Sequence, residues 1–262
     1  VWGSTCTADD SGDVPTVLVA AGAFSDGTNN NAAASNTYTW TYDTTVPIIA
    51  IPSVAGDDYV SKDEYATNGF NVVGITLGAN SQTVTVNYGG ASSTCTASAN
   101  AFSCAFTPSV LAAANSGSGV SDSTTLTVTA AVDDAAGNSA TPAEVTMTQD
   151  TVDPTMTITS STVASGADTA TAAIVFTFTA SQATTNFVIG DITESGCDLS
   201  AFGAIGGSTT AYAATCTASG GDGGKSVLVA AEAFTDAAAN GNGAASNTYS
   251  WTYDSTDPTM TI

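Results

Sequence analysis

Apolar and polar residues alternate along most of this chain with a period of two. In residues 174–178 and 249–253 the large side chains, Phe176 and Trp251 among them, occupy every second position. Alternation of β-branched and aromatic residues with polar ones is typical of β-strands that bury one face. Within the C-terminal part of the chain, seven such runs lie near residues 155–160, 172–180, 186–193, 198–205, 209–217, 226–233 and 247–253.

Clusters of Gly, Asn, Ser and Asp separate these runs and indicate turns. The only helical signal is in residues 107–115, where Pro108 stands at a first helical position and predicts one or two turns of helix. Short strands with turns at this spacing indicate antiparallel two-sheet sandwiches. The sequence therefore predicts an all-β fold.

The chain also repeats itself. The segment TVLVAAGAFSD at 16–26 returns as SVLVAAEAFTD at 226–236, and NTYTWTYD at 36–43 returns as NTYSWTYD at 247–254. An Asp followed four residues later by Pro occurs three times, and the prolines, Pro47, Pro154 and Pro258, are spaced by 107 and 104 residues. That spacing is the size of one sandwich domain.

These landmarks predict four segments. Residues 1–46 are the C-terminal half of a domain of a first type, 47–153 a domain of a second type, 154–257 a domain of the first type, and 258–262 the first strand of a following domain. The half domain lacks everything equivalent to residues 154–211. We expect either preceding chain or a partner to supply the strands that cover its apolar face.

The charge of the chain excludes several functions. Against 24 Asp and Glu there are two basic residues, Lys62 and Lys225, with no His, for a net charge of −22. Nucleic acids and anionic membrane surfaces attract clustered Lys and Arg, so neither is an expected partner. Without His the commonest general base is missing, and no pair of Glu residues suggests glycosidase chemistry, so we expect no enzyme. The longest apolar run, residues 16–24, is too short to span a membrane.

Residues 153–193, from DPTMTI to FVIGDIT, and residues 57–153, with the motif DAAGN at 134–138, resemble the bacterial Ig-like repeats of giant secreted adhesins and extracellular filament proteins. The resemblance covers essentially the whole chain and is most specific in the linkers and final strands. It implies tandem immunoglobulin-like antiparallel β-sandwich domains at the cell surface, with calcium at the domain junctions. Neighbouring copies of the chain or further repeats are then the expected partners.

The five cysteines predict two disulfides. Cys95 and Cys104 flank a short hairpin, and Cys197 and Cys216 bracket adjacent strands. Cys6 is the repeat equivalent of Cys216, so its expected partner is a cysteine upstream of the first residue. Paired cysteines fit an oxidising, extracellular compartment, and buried free thiols remain the alternative.

Carboxylates concentrate in the linkers and in turns expected to lie beside them. Calcium takes six to eight oxygen ligands, and no single cluster offers a full set, so a site would have to pool a turn with a linker. The alternative is that Asp and Asn only form turns and keep the surface soluble. The candidate ligands are Asp43, Asp57, Asp58, Glu64, Asp134, Asn138, Asp150, Asp153, Asp236, Asp254 and Asp257.

Two functions follow as hypotheses. The first is a structural segment of an extracellular filament, stalk or sheath with calcium-stiffened junctions. The second is the repeat region of a cell-surface adhesin that binds carbohydrate or matrix. The aromatic stripes at 38–42 and 249–253 bear on this choice, since they form either a sugar-binding face or, as we expect, part of the core.

Overall fold

The computed structural model describes residues 5–8, 10–114 and 124–262. They fall into two compact units. The described residues of the first lie within Val1–Ala55, Asn71–Ser116 and Thr127–Thr146, and those of the second within Gly56–Phe70, Gly117–Leu126 and Met147–Ile262.

The first ten described strands lie before residue 150. They are β1 (Thr16–Val17), β2 (Tyr38–Thr39), β3 (Ile48–Val54), β4 (Tyr59–Val60), β5 (Phe70–Leu77), β6 (Thr83–Tyr88), β7 (Ala91–Thr96), β8 (Ala101–Phe106), β9 (Thr124–Val132) and β10 (Ala143–Gln149). A π-helical turn covers Glu64–Asn68. The predicted helix is confirmed as α1 (Pro108–Ala114), while Asn115 of that prediction lies outside the described residues.

These strands form three sheets. The orders are β3-β5-β8, β4-β10-β9-β6-β7, and the pair β1-β2. Alternation decides which side chains enter the core: Val84 and Val86 of β6 are fully buried, with polar neighbours between them. At the end of β6, Tyr88 packs edge-on against Phe106, with ring centroids 5.7 Å apart.

Eight further strands follow residue 153. They are β11 (Met156–Ser160), β12 (Asp168–Thr169), β13 (Ala173–Ala180), β14 (Ile192–Ser195), β15 (Cys197–Ala204), β16 (Ala211–Ala218), β17 (Gly223–Val229) and β18 (Tyr249–Tyr253). They form two four-stranded sheets with the orders β11-β13-β16-β15 and β12-β18-β17-β14. Short 3₁₀ turns cover Ile189–Asp191 and Ile205–Gly207.

The two sheets enclose one aromatic core, so the predicted all-β antiparallel sandwich is confirmed. Phe176 of β13 lies 5.3 Å from the rings of both Tyr249 and Trp251, measured between centroids. Because Tyr249 and Trp251 are almost fully buried, the interpretation of this stripe as core is confirmed. These two side chains are therefore inaccessible to a sugar ligand. For the stripe at 38–42 the interpretation as core is not confirmed, since Tyr38 and Tyr42 are 67% and 39% exposed.

One predicted strand is wrong in its position. The alternation predicts an extended run at 186–193, but β14 begins only at Ile192. The carboxylate of Asp191 accepts the backbone N–H of Val188 at 2.8 Å, and this closes a 3₁₀ turn over Ile189–Asp191. A local side-chain bond therefore outcompetes the alternating pattern at this point.

Both predicted disulfides are present. Cys95 and Cys104 join β7 to β8, and Cys197 and Cys216 join the paired strands β15 and β16. Cys6 is exposed and unpaired within the described part of the chain.

Candidate functional site at the linkers

A loop of the second unit, residues 236–240, is closed by its own first and last side chains. Asp236 Oδ1 accepts the backbone N–H groups of Ala238 and Asn240, each at 2.9 Å. Its other oxygen accepts Asn240 Nδ2 at 3.0 Å. Both side chains are more than nine-tenths buried, so the loop holds the Asn240 amide in one orientation.

The Asn240 amide then bonds two other segments. Its Nδ2 also donates to the carbonyl of Asp150 in the linker at 3.0 Å. Its Oδ1 accepts the backbone N–H of Lys62 at 2.8 Å. One side chain therefore ties the loop, the linker and the segment after β4 together, and we call this arrangement the Asn240 clamp.

The first unit contains the same construction at the preceding linker. Asp134 Oδ1 accepts the N–H groups of Ala136 and Asn138, at 2.8 and 2.9 Å. Asn138 Nδ2 donates to Asp134 Oδ2 at 2.8 Å and to the carbonyl of Asp43 at 3.0 Å. The bond from Asn138 is the main reason that the pKa of Asp134 lies below its ordinary value. This is the Asn138 clamp.

Lys62 adds an ion pair beside the Asn240 clamp. Its Nζ lies 2.6 Å from Asp153 Oδ2, and the two side chains are 53% and 29% exposed. The bond to Asp153 raises the pKa of Lys62, and the charges of Asp63 and Glu232 raise it further. A small cavity of about 130 Å³ lies among these groups.

Gly243 makes the approach of Asp153 possible. A Cβ on Gly243 would overlap the Asp153 carboxylate, so any larger residue would displace it from Lys62. This is a requirement for close approach, and Gly243 takes no part in the hydrogen bonds of the clamp.

A third carboxylate, Asp222, holds the last linker. It accepts the N–H and the hydroxyl of Ser255 at 2.8 and 2.7 Å, and the hydroxyl of Thr256. These bonds, with that from Thr256 the largest contribution, lower the pKa of Asp222 to about 2. Asp222 is 33 residues from Ser255 in the sequence, and the repeat has Gly12 in the corresponding place, so neither distance nor repetition points to it.

Most of the predicted calcium ligands are used in local bonds. Asp57 accepts Tyr59 N–H, Glu64 accepts both the N–H and the hydroxyl of Ser61, Asp43 accepts Thr45 N–H, Asp150 accepts Val152 N–H, and Asp254 accepts Thr256 N–H. Asp58 has a left-handed backbone, with φ of 63°, and its carbonyl accepts Thr148 N–H. Asp257 is exposed beyond the last strand.

The predicted ligands are gathered only in part. Asp150 and Asp236 line one cavity of about 510 Å³ with Gln182, and Asp153 lies near Glu232 at the Lys62 cavity. In the described ranges no three acidic or cysteine side chains are grouped closely enough to hold a metal ion. The carboxylates alone therefore do not fit a complete calcium site.

The residues predicted from the sequence cover only part of this arrangement. The candidate ligands include Asp134, Asn138 and Asp236, but neither Asn240 nor Lys62. The signal for Asn240 was available, since Asp236 and Asn240 have the same spacing as Asp134 and Asn138. No sequence signal paired Lys62 with Asp153, which lies 91 residues away.

A family model described as a bacterial Ig-like domain matches residues 150–253. The match begins at Asp150, the linker residue whose carbonyl Asn240 binds, and ends on β18. It therefore covers the loop and the linker side of the Asn240 clamp.

Several solved structures are similar to the chain. A structure from a 1.5-MDa bacterial ice-binding adhesin is 20% identical over 91% of this chain and 72% of that chain, with a TM-score of 0.40. The Escherichia coli adhesin FdeC is 15% identical over 85% and 70%, with a TM-score of 0.43. The D00-D0 domain of intimin is 15% identical over 79% and 99%, with a TM-score of 0.34. No curated protein sequence matches the chain.

Across the described residues, no helix is long and apolar enough to cross a membrane.

Proposed function

Residues 150–253 of this chain belong to the bacterial Ig-like domain family, and on this basis we propose that the chain is a structural segment of an extracellular stalk or filament. In this role tandem Ig-like domains give the stalk or filament its length and stiffness. The linkers determine how freely neighbouring domains move. Further repeats, or neighbouring copies of the chain, are the proposed partners.

The repeated clamp is the observation that carries the proposal. In each unit an Asp and an Asn four residues later place one amide donor on the carbonyl of a linker Asp. A buried hydrogen bond contributes about 1 kcal/mol, and leaving a buried partner unsatisfied costs about 1 to 3 kcal/mol. A linker held this way resists bending.

Hydrogen exchange of the Lys62 amide tests the clamp. In the unmodified chain we expect slow exchange, because Asn240 Oδ1 accepts this N–H. Asn240→Ala removes the acceptor and should raise the rate at Lys62 at least tenfold, while amides of β13 stay unchanged. Equal rates in both proteins would mean that Asn240 does not hold the segment after β4, and the clamp would lose this support.

Calcium stiffening stays a prediction within this proposal. Any ion would need backbone carbonyls or water besides the carboxylates, because calcium takes six to eight oxygens. Calorimetric titration with calcium chloride decides the point: saturable heat that disappears in Asp150→Asn supports a linker site. A titration without saturable heat would exclude calcium stiffening and leave the two clamps as the source of linker stiffness.

Electron microscopy of native material, with calcium and after chelation, tests the larger assembly. Regular fibres would support the filament role. Separate beaded chains that bind glycans on an array would instead favour the adhesin hypothesis.

A further inference from the structure

The first unit carries an apolar surface that stays exposed in the described part of the chain. Val17, Val19, Phe24 and Tyr38 are 45%, 42%, 64% and 67% exposed. They belong to β1, β2 and the loop between them, and we call these four side chains the open face. A contiguous exposed apolar surface marks an interaction site more often than a solvated one.

The same chain shows what covers this surface in a complete repeat. The repeat counterparts of the open face, Val227, Val229, Phe234 and Tyr249, are 0%, 0%, 1% and 6% exposed. Phe234 packs on Phe187, with ring centroids 5.6 Å apart, and Tyr249 packs on Phe176. Both of these contacting residues, Phe187 and Phe176, come from the front half of that repeat, residues 154–211.

The open face already has the local hydrogen bonds of its buried counterpart. Val19 N–H donates to Ser35 Oγ at 2.9 Å, as Val229 N–H donates to Ser246 Oγ at 2.9 Å. The amide of Asn31 bonds the carbonyls of Ala20 and Ala33, as that of Asn242 bonds Ala230 and Ala244. Binding would therefore need little rearrangement of this surface.

The strand register matches as well. Thr16 pairs with Thr39 and Val17 with Tyr38, as Ser226 pairs with Ser250 and Val227 with Tyr249. In the complete repeat the other edge of β17 pairs with β14, which places Ile192 opposite Val229. The corresponding edge, residues 16–19, has no strand beside it among the described residues.

We propose that the open face binds the front half of a repeat of this same type, a polypeptide like residues 154–211. Its strand equivalent to Ile192–Ser195 adds antiparallel to residues 16–19, with the Ile192 position opposite Val19. Its first strand reaches Asn36, because the counterpart Asn247 exchanges two hydrogen bonds with the backbone of Ile158, at 2.8 and 2.9 Å. This goes beyond the proposed function, which depends on the linkers and not on this surface.

Cys6 supplies a covalent lock for the same complex. Its counterpart Cys216 is bonded to Cys197, and Cys6 itself is exposed and unpaired. A bound front half brings its Cys197 thiol to Cys6. A small disulfide such as oxidised glutathione completes the bond: the Cys6 thiolate displaces one glutathione, and the partner thiolate then displaces the second. Two protein thiols are oxidised, and one glutathione disulfide is reduced to two thiols.

The test adds a synthetic polypeptide of residues 154–211, whose single cysteine is Cys197, to the intact chain with oxidised glutathione. We expect a one-to-one adduct in which peptide mapping finds Cys6 joined to Cys197. We also expect exchange to slow at least tenfold at those amides of residues 16–19 that face the open edge. Val19 is not among them, because its N–H already donates to Ser35 Oγ. Phe24→Asp should reduce adduct formation at least tenfold, whereas Ile75→Asp should not. Ile75 is an apolar residue off the open face that is 51% exposed, against 64% for Phe24.

A cysteine variant and a fused chain complete the test. Cys6→Ser should abolish the adduct but keep the slowed exchange. An adduct that forms equally fast with Phe24→Asp would show unspecific thiol exchange and overturn the proposal. If the polypeptide aggregates, residues 154–215 are fused directly before Cys6 of the chain, and unchanged exchange at residues 16–19 in that protein would also overturn it.

Discussion

At the scale of single residues, Asn240 contributes more than its size suggests, because one buried amide serves three segments. Asn240→Ala leaves the Lys62 N–H, the Asp150 carbonyl and one Asp236 oxygen without this partner. Unsatisfied buried groups cost about 1 to 3 kcal/mol each, and water entry offsets part of this, so we expect a loss of about 2 kcal/mol in unfolding free energy. Urea denaturation measures it.

Asn87→Ala is the matched control for that substitution. Asn87 is exposed in β6, and its replacement should change the unfolding free energy by less than about 0.5 kcal/mol. Equal effects of the two substitutions would show that the Asn240 amide is already solvated in the folded chain.

Asp222 gives a residue-scale prediction that depends on pH. Its pKa is about 2 in the folded chain against 3.8 ordinarily, so its charge is favoured by folding. The stability it contributes is present above about pH 4 and is lost as the pH falls from about 4 towards 2. The Asp222→Asn variant should therefore have a lower urea midpoint than the unmodified chain at pH 7. When both proteins are brought to pH 2.5, the midpoint of the variant should fall by less than that of the unmodified chain.

Asp198→Asn, at an exposed position of β15, is the control for this measurement. It should follow the unmodified chain at both pH values. If Asp222→Asn followed the unmodified chain too, the bonds to Ser255 and Thr256 would contribute nothing to stability.

At the scale of elements, the disulfide between β15 and β16 should matter more than the one between β7 and β8. The two bridges close 19 and 9 residues, and the entropy removed from the unfolded chain grows with the length closed. We expect the double substitution of Cys197 and Cys216 by Ala to cost about 3 kcal/mol, and that of Cys95 and Cys104 somewhat less. Guanidinium unfolding of both variants, with Cys6→Ala as the unaffected control, tests the order.

The elements that sequence could predict are those in which period-two alternation and core burial agree. β13, with Ile174, Phe176 and Phe178 all buried, is such a strand, and its predicted bounds differ from the structure by one residue at the start. β14 could not be placed, because the Asp191 side chain sets a turn that alternation does not contain. Likewise the clamps were only half visible, since the bonds of Asn240 to Asp150 and Lys62 span 90 and 178 residues.

At the scale of the whole molecule, the charge of −22 opposes compactness, and two Lys residues do little to neutralise it. Raising sodium chloride from 10 to 150 mM shortens the screening length from about 30 to about 8 Å, which weakens repulsion between distant carboxylates. We therefore expect the melting temperature to rise by about 3 °C, equivalent to about 1 kcal/mol for a chain of this size. Differential scanning calorimetry measures it.

Calcium chloride at the same ionic strength separates screening from specific binding. Screening alone depends mainly on ionic strength, so the two salts should give similar rises. A bound ion stabilises the folded chain further, by an amount that grows with the logarithm of its free concentration once that exceeds the dissociation constant. A melting temperature that falls with sodium chloride would mean that close attractive contacts such as Lys62 with Asp153 outweigh the long-range repulsion. In that case the acidic surface would not be the main electrostatic cost of folding.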